Sequence, residues 1–205
     1  MIETLTIQIF FIIVIFLFLL GFIWPLIIVK KRGKNPHGTH EGASILTKLS
    51  GVSIFFWLGL ICFYFFFPEI IKNIVFFNLF YSNIAVIIGM IIISIGFLFE
   101  LMGIIALGEN FRIELPIEKI ELITSGIYKF MRNPIVFGIF LLVAGTFMII
   151  PNILTLISMI FNILTFNSKA KDEETFLTKT FGEKYLQYKN KVGRYLPFNI
   201  KKNII

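Results

Sequence analysis

Residues 133–168 read NPIVFGIFLLVAGTFMIIPNILTLISMIFNILTFNS, 36 positions without a charged side chain. A single membrane helix takes about 20 residues at 1.5 Å each, so this stretch is too long for one ordinary crossing. Pro151-Asn152 falls in the middle and divides the run into halves of 18 residues. Pro and Asn together favour a turn. The stretch therefore predicts a tight helical hairpin that enters a membrane and returns. Backbone groups in lipid must bond internally, which dictates helices. Strands are excluded because the run lacks a period-two polar face.

Three other runs extend the pattern. Residues 5–29, 51–67 and 73–99 are also free of charge. The chain of 205 residues is 57% hydrophobic and 15% charged, against roughly a quarter charged in a soluble domain. The expected fold is all-α and polytopic, with five membrane helices near residues 5–29, 51–67, 82–107, 134–150 and 152–167. The basic residues support this count. Of 19, five fall between helices 1 and 2, four between helices 3 and 4, and nine after helix 5. Only Lys72 falls elsewhere. Five spans therefore put 18 of 19 on one face, which the positive-inside rule makes the cytosol. The net charge of +7 reads as topology and attraction to anionic lipid, with no nucleic-acid partner expected. Helix 1 lacks a basic n-region and a small-residue cleavage site, and is expected to stay. The lone Cys62 excludes an internal disulfide and a thiolate zinc site. His37 and His40 read as part of a solvated loop, so no metal is expected. The chain is taken as one structural domain, with membrane helices in 1–95 and the chemistry in 96–205.

Several polar groups flank the apolar runs. Glu100 lies about two turns from the cytosolic end of helix 3, a depth at which an ionisable group is a functional candidate. Pro116 argues against one continuous helix after Gly108. Gly126 suits a tight turn or close approach of backbone to a ligand. Asn133-Pro134 suits a helix start, with Asn as N-cap and Pro at the first position. The same helix start suits an anionic ligand group, and Arg132 beside it is a bidentate donor. Asp172-Glu173-Glu174 reads either as acids complementing a helix start or as acceptors for a ligand. Leu177, Phe181, Tyr185 and Tyr188 then recur at helical spacing on an amphipathic cytosolic helix, which Gly182 interrupts.

Taken together, the segments from about Gly96 to Phe198 resemble the isoprenylcysteine carboxyl methyltransferase family, with phospholipid N-methyltransferases as near relatives. The likeness rests on order and spacing. Gly108-Glu109-Asn110-Phe111 comes first, then Leu122-Ile123-Thr124-Ser125-Gly126-Ile127-Tyr128, then Arg132-Asn133-Pro134. The hairpin is followed by Glu173-Glu174, Phe181-Gly182-Glu183-Lys184-Tyr185, Tyr188, Val192 and Leu196-Pro197-Phe198. Asn133 stands where the family has His, and Val136 where it has Tyr. The resemblance implies S-adenosylmethionine as methyl donor and a lipid-like acceptor, most naturally the carboxylate of an isoprenylcysteine. It implies a cofactor site at Gly126, Tyr128, Arg132, Asn133, Pro134, Glu173 and Glu174. Arg132 and the helix amides suit the donor's carboxylate, and the two glutamates its ammonium or ribose hydroxyls. Arg132, Glu174 and Glu100 are the catalytic candidates. A carboxylate acceptor is ionised at neutral pH and needs no base. An amine acceptor needs one, for which Glu100 or Glu174 would serve. Two further readings are an isoprenoid or sterol reductase using a nicotinamide cofactor, and a non-catalytic membrane binding or assembly protein.

Overall fold

In the computed structural model the described residues are 4–33, 43–73, 82–113 and 121–196. His37 and His40, Pro116 and the terminal Pro197-Phe198 lie outside them. The described elements are α1 (Thr4–Lys31), α2 (Ile45–Lys48), α3 (Ser50–Phe66), α4 (Pro68–Asn73), α5 (Asn83–Leu107), α6 (Pro134–Ile149), α7 (Ile153–Phe181) and α8 (Glu183–Lys191). Short 3-10 turns cover Gly108–Asn110 and Gly126–Lys129. The regular elements among the described residues are helices, and Met131 forms an isolated parallel bridge with Gly193.

Four helices are long and apolar enough to cross a membrane: α1, α2 with α3 (Ile45–Phe66), α5 with its 3-10 extension (Asn83–Asn110), and α7. The fifth apolar helix, α6, has 16 residues. At 1.5 Å per residue that is about 24 Å, short of the ~30 Å hydrocarbon core. The protein is a multi-pass membrane protein of all-α class. Its outward helix faces carry Phe16, Trp24, Phe66, Ile84 and Ile105, all well exposed.

Small residues and buried hydroxyls pull the helices together. The α5–α6 pair is the most extensive contact in the molecule. A Cβ on Gly145 would lie 2.7 Å from the Gly89 carbonyl oxygen, and one on Gly138 would lie 2.6 Å from that of Gly96. Only glycine allows backbones this close, and lipid offers no other strong drive for association. Phe11, Phe18, Trp57, Ile93 and Leu142 fill the core among α1, α3, α5 and α6. The Trp57 indole donates to Thr146 Oγ1 at 3.0 Å. Asn162 Nδ2 donates to the Ser53 carbonyl at 3.0 Å, and Ser53 Oγ meets Thr165 Oγ1 at 2.8 Å, which fixes α3 on α7.

The hairpin turns where expected, at Ile150-Pro151-Asn152. Asn152 caps α7: its Oδ1 accepts from Thr155 N at 2.9 Å, and Thr155 Oγ1 accepts from Asn152 N at 3.2 Å. The expectation that Asp172-Glu173-Glu174 sit near a helix start is corrected. They lie inside α7, which runs unbroken for 29 residues. No Pro or Gly falls between Asn152 and Gly182, so nothing in the chain ends the helix. Gly182, at φ +52°, then separates α7 from α8, as its sequence position suggests.

Candidate functional site

The successive carboxylates on α7 project about 100° apart around the helix, so they meet three different surroundings. Asp172 docks α2. Its Oδ2 accepts from the Ser44 amide at 2.8 Å and from Thr47 Oγ1 at 2.6 Å, while Ser44 Oγ meets Ser168 Oγ at 2.8 Å. Glu174 is buried and clasped by two guanidinium groups. Its Oε1 accepts from Arg132 Nη2 at 2.9 Å and Arg194 Nε at 2.7 Å, and its Oε2 from Arg194 Nη2 at 2.9 Å. Asn133 Nδ2 and Arg132 Nε add longer contacts to Oε1, each 3.3 Å. Burial pushes the Glu174 carboxyl up, but hydrogen bonds from Arg194 and Arg132 outweigh it and hold the group below the usual carboxylate range.

Glu173 differs from both neighbours. It is half-buried, lines the cavity described next, and forms no hydrogen bond or ion pair among the described residues. Burial raises its carboxyl above the usual range. Lys169 opposes the rise, and the negative Glu174 and Asp172 add to it. All three acids lie beyond the apolar part of α7, which ends at Ser168.

A cavity of about 460 Å³ opens between these elements. One end is polar, with Tyr128, Arg132, Asn133, Lys169, Glu173 and Glu174 in its wall. The other is apolar, walled by Phe18 and Phe22 of α1, Ile54 and Leu58 of α3, and Val136 and Ile139 of α6. The residues after α8 strap the polar end. Arg132 N donates to the Gly193 carbonyl and Asn133 N to that of Arg194, both at 3.0 Å. The Tyr188 hydroxyl donates to the Tyr128 carbonyl at 2.6 Å.

Of the residues expected at the site, Tyr128, Arg132, Asn133, Glu173 and Glu174 share this one cavity. Gly126, Pro134 and Glu100 do not line it. Gly126 adopts φ +58° at the turn before Tyr128. Pro134 opens α6 as expected and packs on Gly103, whose Cβ would meet its Cγ at 3.1 Å. Glu100 is buried in the α5–α6 seam against Gly138, and both its carboxylate oxygens are without a partner among the described residues. Asn133 occupies the N-cap position but makes no side-chain cap, because its amide turns to Glu174. Arg132 makes four hydrogen bonds, two to Glu174 and two from Nη1 to the carbonyls of Lys189 and Val192. Arg194 was not singled out by the sequence. Its only signal is that a buried acid amid so many cations needs more than one of them.

Residues 84–184 match the family model described as phospholipid methyltransferase. Among curated proteins, the chain is 35% identical over 116 residues to the protein-S-isoprenylcysteine O-methyltransferase of Xenopus laevis, covering 55% of this chain and 40% of that one. It is 37% identical over 78 residues to the Saccharomyces cerevisiae enzyme of that name, covering 38% and 33%. To the Homo sapiens enzyme it is 31% identical over 114 residues, covering 54% and 40%. A solved eukaryotic intramembrane Ras methyltransferase, isoprenylcysteine carboxyl methyltransferase, superposes with a TM-score of 0.53 at 26% identity, over 74% of this chain and 52% of that one. The chain therefore matches about half or less of the length of these relatives. The likeness to the isoprenylcysteine carboxyl methyltransferase family read from the sequence is shown.

Proposed function

We propose, from this family likeness, that the chain is a membrane methyltransferase that moves a methyl group from S-adenosylmethionine to the carboxylate of a lipid-tailed acceptor such as an isoprenylcysteine. The observation that carries the reading is one cavity with two ends. A polar donor set stands at one end and an apolar arm between helices at the other. When bound, S-adenosylmethionine supplies a methyl group on a positively charged sulfur. Its ammonium calls for a carboxylate, and Glu173, beside Glu174 on α7, is a cavity acid without a partner among the described residues. Its carboxylate calls for cations, and Lys169 and Arg132 stand in the same wall. Glu174 and Arg194 keep Arg132 in place. Gly126 and Pro134 shape the wall from behind, and Glu100 is assigned no contact with donor or acceptor.

The acceptor carboxylate is already ionised at neutral pH, so no base is invoked. What the protein supplies is alignment of the reacting groups and exclusion of water. In this reading residues 1–95 contribute α1 and α3 to the tail-binding arm, and residues 96–205 contribute α6 to that arm and the donor end. A test is transfer of labelled methyl from S-adenosylmethionine by the purified protein to a prenylcysteine analogue and to phosphatidylethanolamine. Formation of a base-labile prenylcysteine ester is expected. Methylation of the phospholipid amine alone would replace the acceptor assigned here, and transfer to neither would contradict the reading.

The polar end faces the cytosol, and α6 crosses with α7 as a hairpin, giving five passes. The motive is the one-sided placement of 18 of 19 basic residues. A reporter fused after Ile205 is expected to read as cytosolic. An extracytosolic readout would overturn the topology.

A further inference from the structure

The N-terminal helices lie outside the family-matched residues 84–184, yet they form part of the cavity wall. Among the residues they contribute to the wall, the one cation is Lys48, at the end of α2. The Lys48 side chain lines the cavity and makes no hydrogen bond or ion pair among the described residues. Its placement is not left to a floppy loop. Asp172, next to Glu173 on α7, holds α2 through Ser44 and Thr47. The same α7 segment thus fixes the donor end and the position of Lys48.

From Lys48 the chain passes through Leu49 directly into α3, whose Ile54, Phe55 and Leu58 form one wall of the apolar arm. Ten residues of helix rise about 15 Å from Lys48 to Leu58. A tail lying along this wall brings its head to the Lys48 ammonium. We infer that Lys48 binds the negative charge of the acceptor's carboxylate and so makes the enzyme select an anionic lipid-tailed acceptor over a neutral one. This rests on the function proposed above. Lys48 takes no part in holding the donor, whose partners stand on α7 and before α6.

The test compares a prenylcysteine analogue with its carboxamide, which keeps the tail and loses the charge. Equilibrium binding of both is measured on the full chain for the wild type, Lys48→Gln and Lys48→Arg, beside the affinity for S-adenosylhomocysteine. The wild type is expected to prefer the acid by about tenfold, the scale of one charge-assisted hydrogen bond. Lys48→Gln is expected to erase that preference, Lys48→Arg to retain most of it, and both to bind S-adenosylhomocysteine as the wild type does. A merely structural Lys48 would weaken acid and amide alike. An acid preference that survives in Lys48→Gln, or is absent from the wild type, overturns the inference. Failure of S-adenosylhomocysteine to bind the wild type would instead strike the methyltransferase reading, leaving the acid-against-amide comparison to decide the role of Lys48 by itself.

Discussion

Glu174→Gln is expected to lower the stability of the ligand-free protein by about 3 kcal/mol, because it removes the one acid shared by Arg132 and Arg194. The Arg132 side chain is only 7% exposed, so its charge is left without compensation where water reaches it poorly. Arg194, 29% exposed, recovers part of its hydration, which puts the loss at the low end for a broken buried pair. At ~2–4 °C per kcal/mol for a chain of this size, the unfolding midpoint falls by about 6–12 °C. The pH dependence has a definite sign. Glu174 is held below its ordinary value of 4.5, so its contribution is present above that value and fades as the pH falls through the folded-state value. Thermal unfolding across mildly acidic pH checks both points. A ligand-free variant that melts within 2 °C of the wild type, or keeps its acid sensitivity, would show that the clasp does not hold the strap.

The second large effect belongs to the neighbouring acid. Glu173→Gln is expected to leave stability nearly unchanged, since Glu173 forms no pair among the described residues. Its carboxyl is half-buried and lines the cavity, so the loss appears when a cationic ligand enters. A charge-assisted hydrogen bond contributes roughly 1.5–3 kcal/mol, so affinity for S-adenosylhomocysteine, which keeps the ammonium, should fall about 10- to 150-fold. Calorimetry on the two glutamine variants separates the roles: one variant loses stability and the other loses affinity. Equal affinity in Glu173→Gln and the wild type would remove Glu173 from the donor site.

The sequence showed the helices because lipid leaves the chain few choices. The expected spans ended close to where α1, α3, α5 and α6 end, and Pro151 marked the hairpin turn. It did not show that α7 continues past Ser168 into the polar region, because charge marks where lipid stops and not where a helix stops. Arg132, Asn133, Glu173 and Glu174 were legible as a group through the family likeness. Their division of labour was not. Whether a carboxylate faces a ligand or a guanidinium depends on its angle around α7 and on partners far away in sequence. Asp172 meets Ser44 and Thr47 at separations of 128 and 125 residues. Arg194 lies in a short polar tail with no periodicity to mark it. The apolar arm was illegible for a related reason: Phe18 and Ile54 look like any other membrane-helix side chains until α1 and α3 are placed against α6.

The central claim is that the polar end of this cavity holds S-adenosylmethionine. Titration of the purified wild-type protein with S-adenosylhomocysteine in a calorimeter tests it most directly. Saturable binding with one site per chain, weakened in Glu173→Gln, is the expected result. Absence of saturable binding to a folded wild-type protein would contradict it.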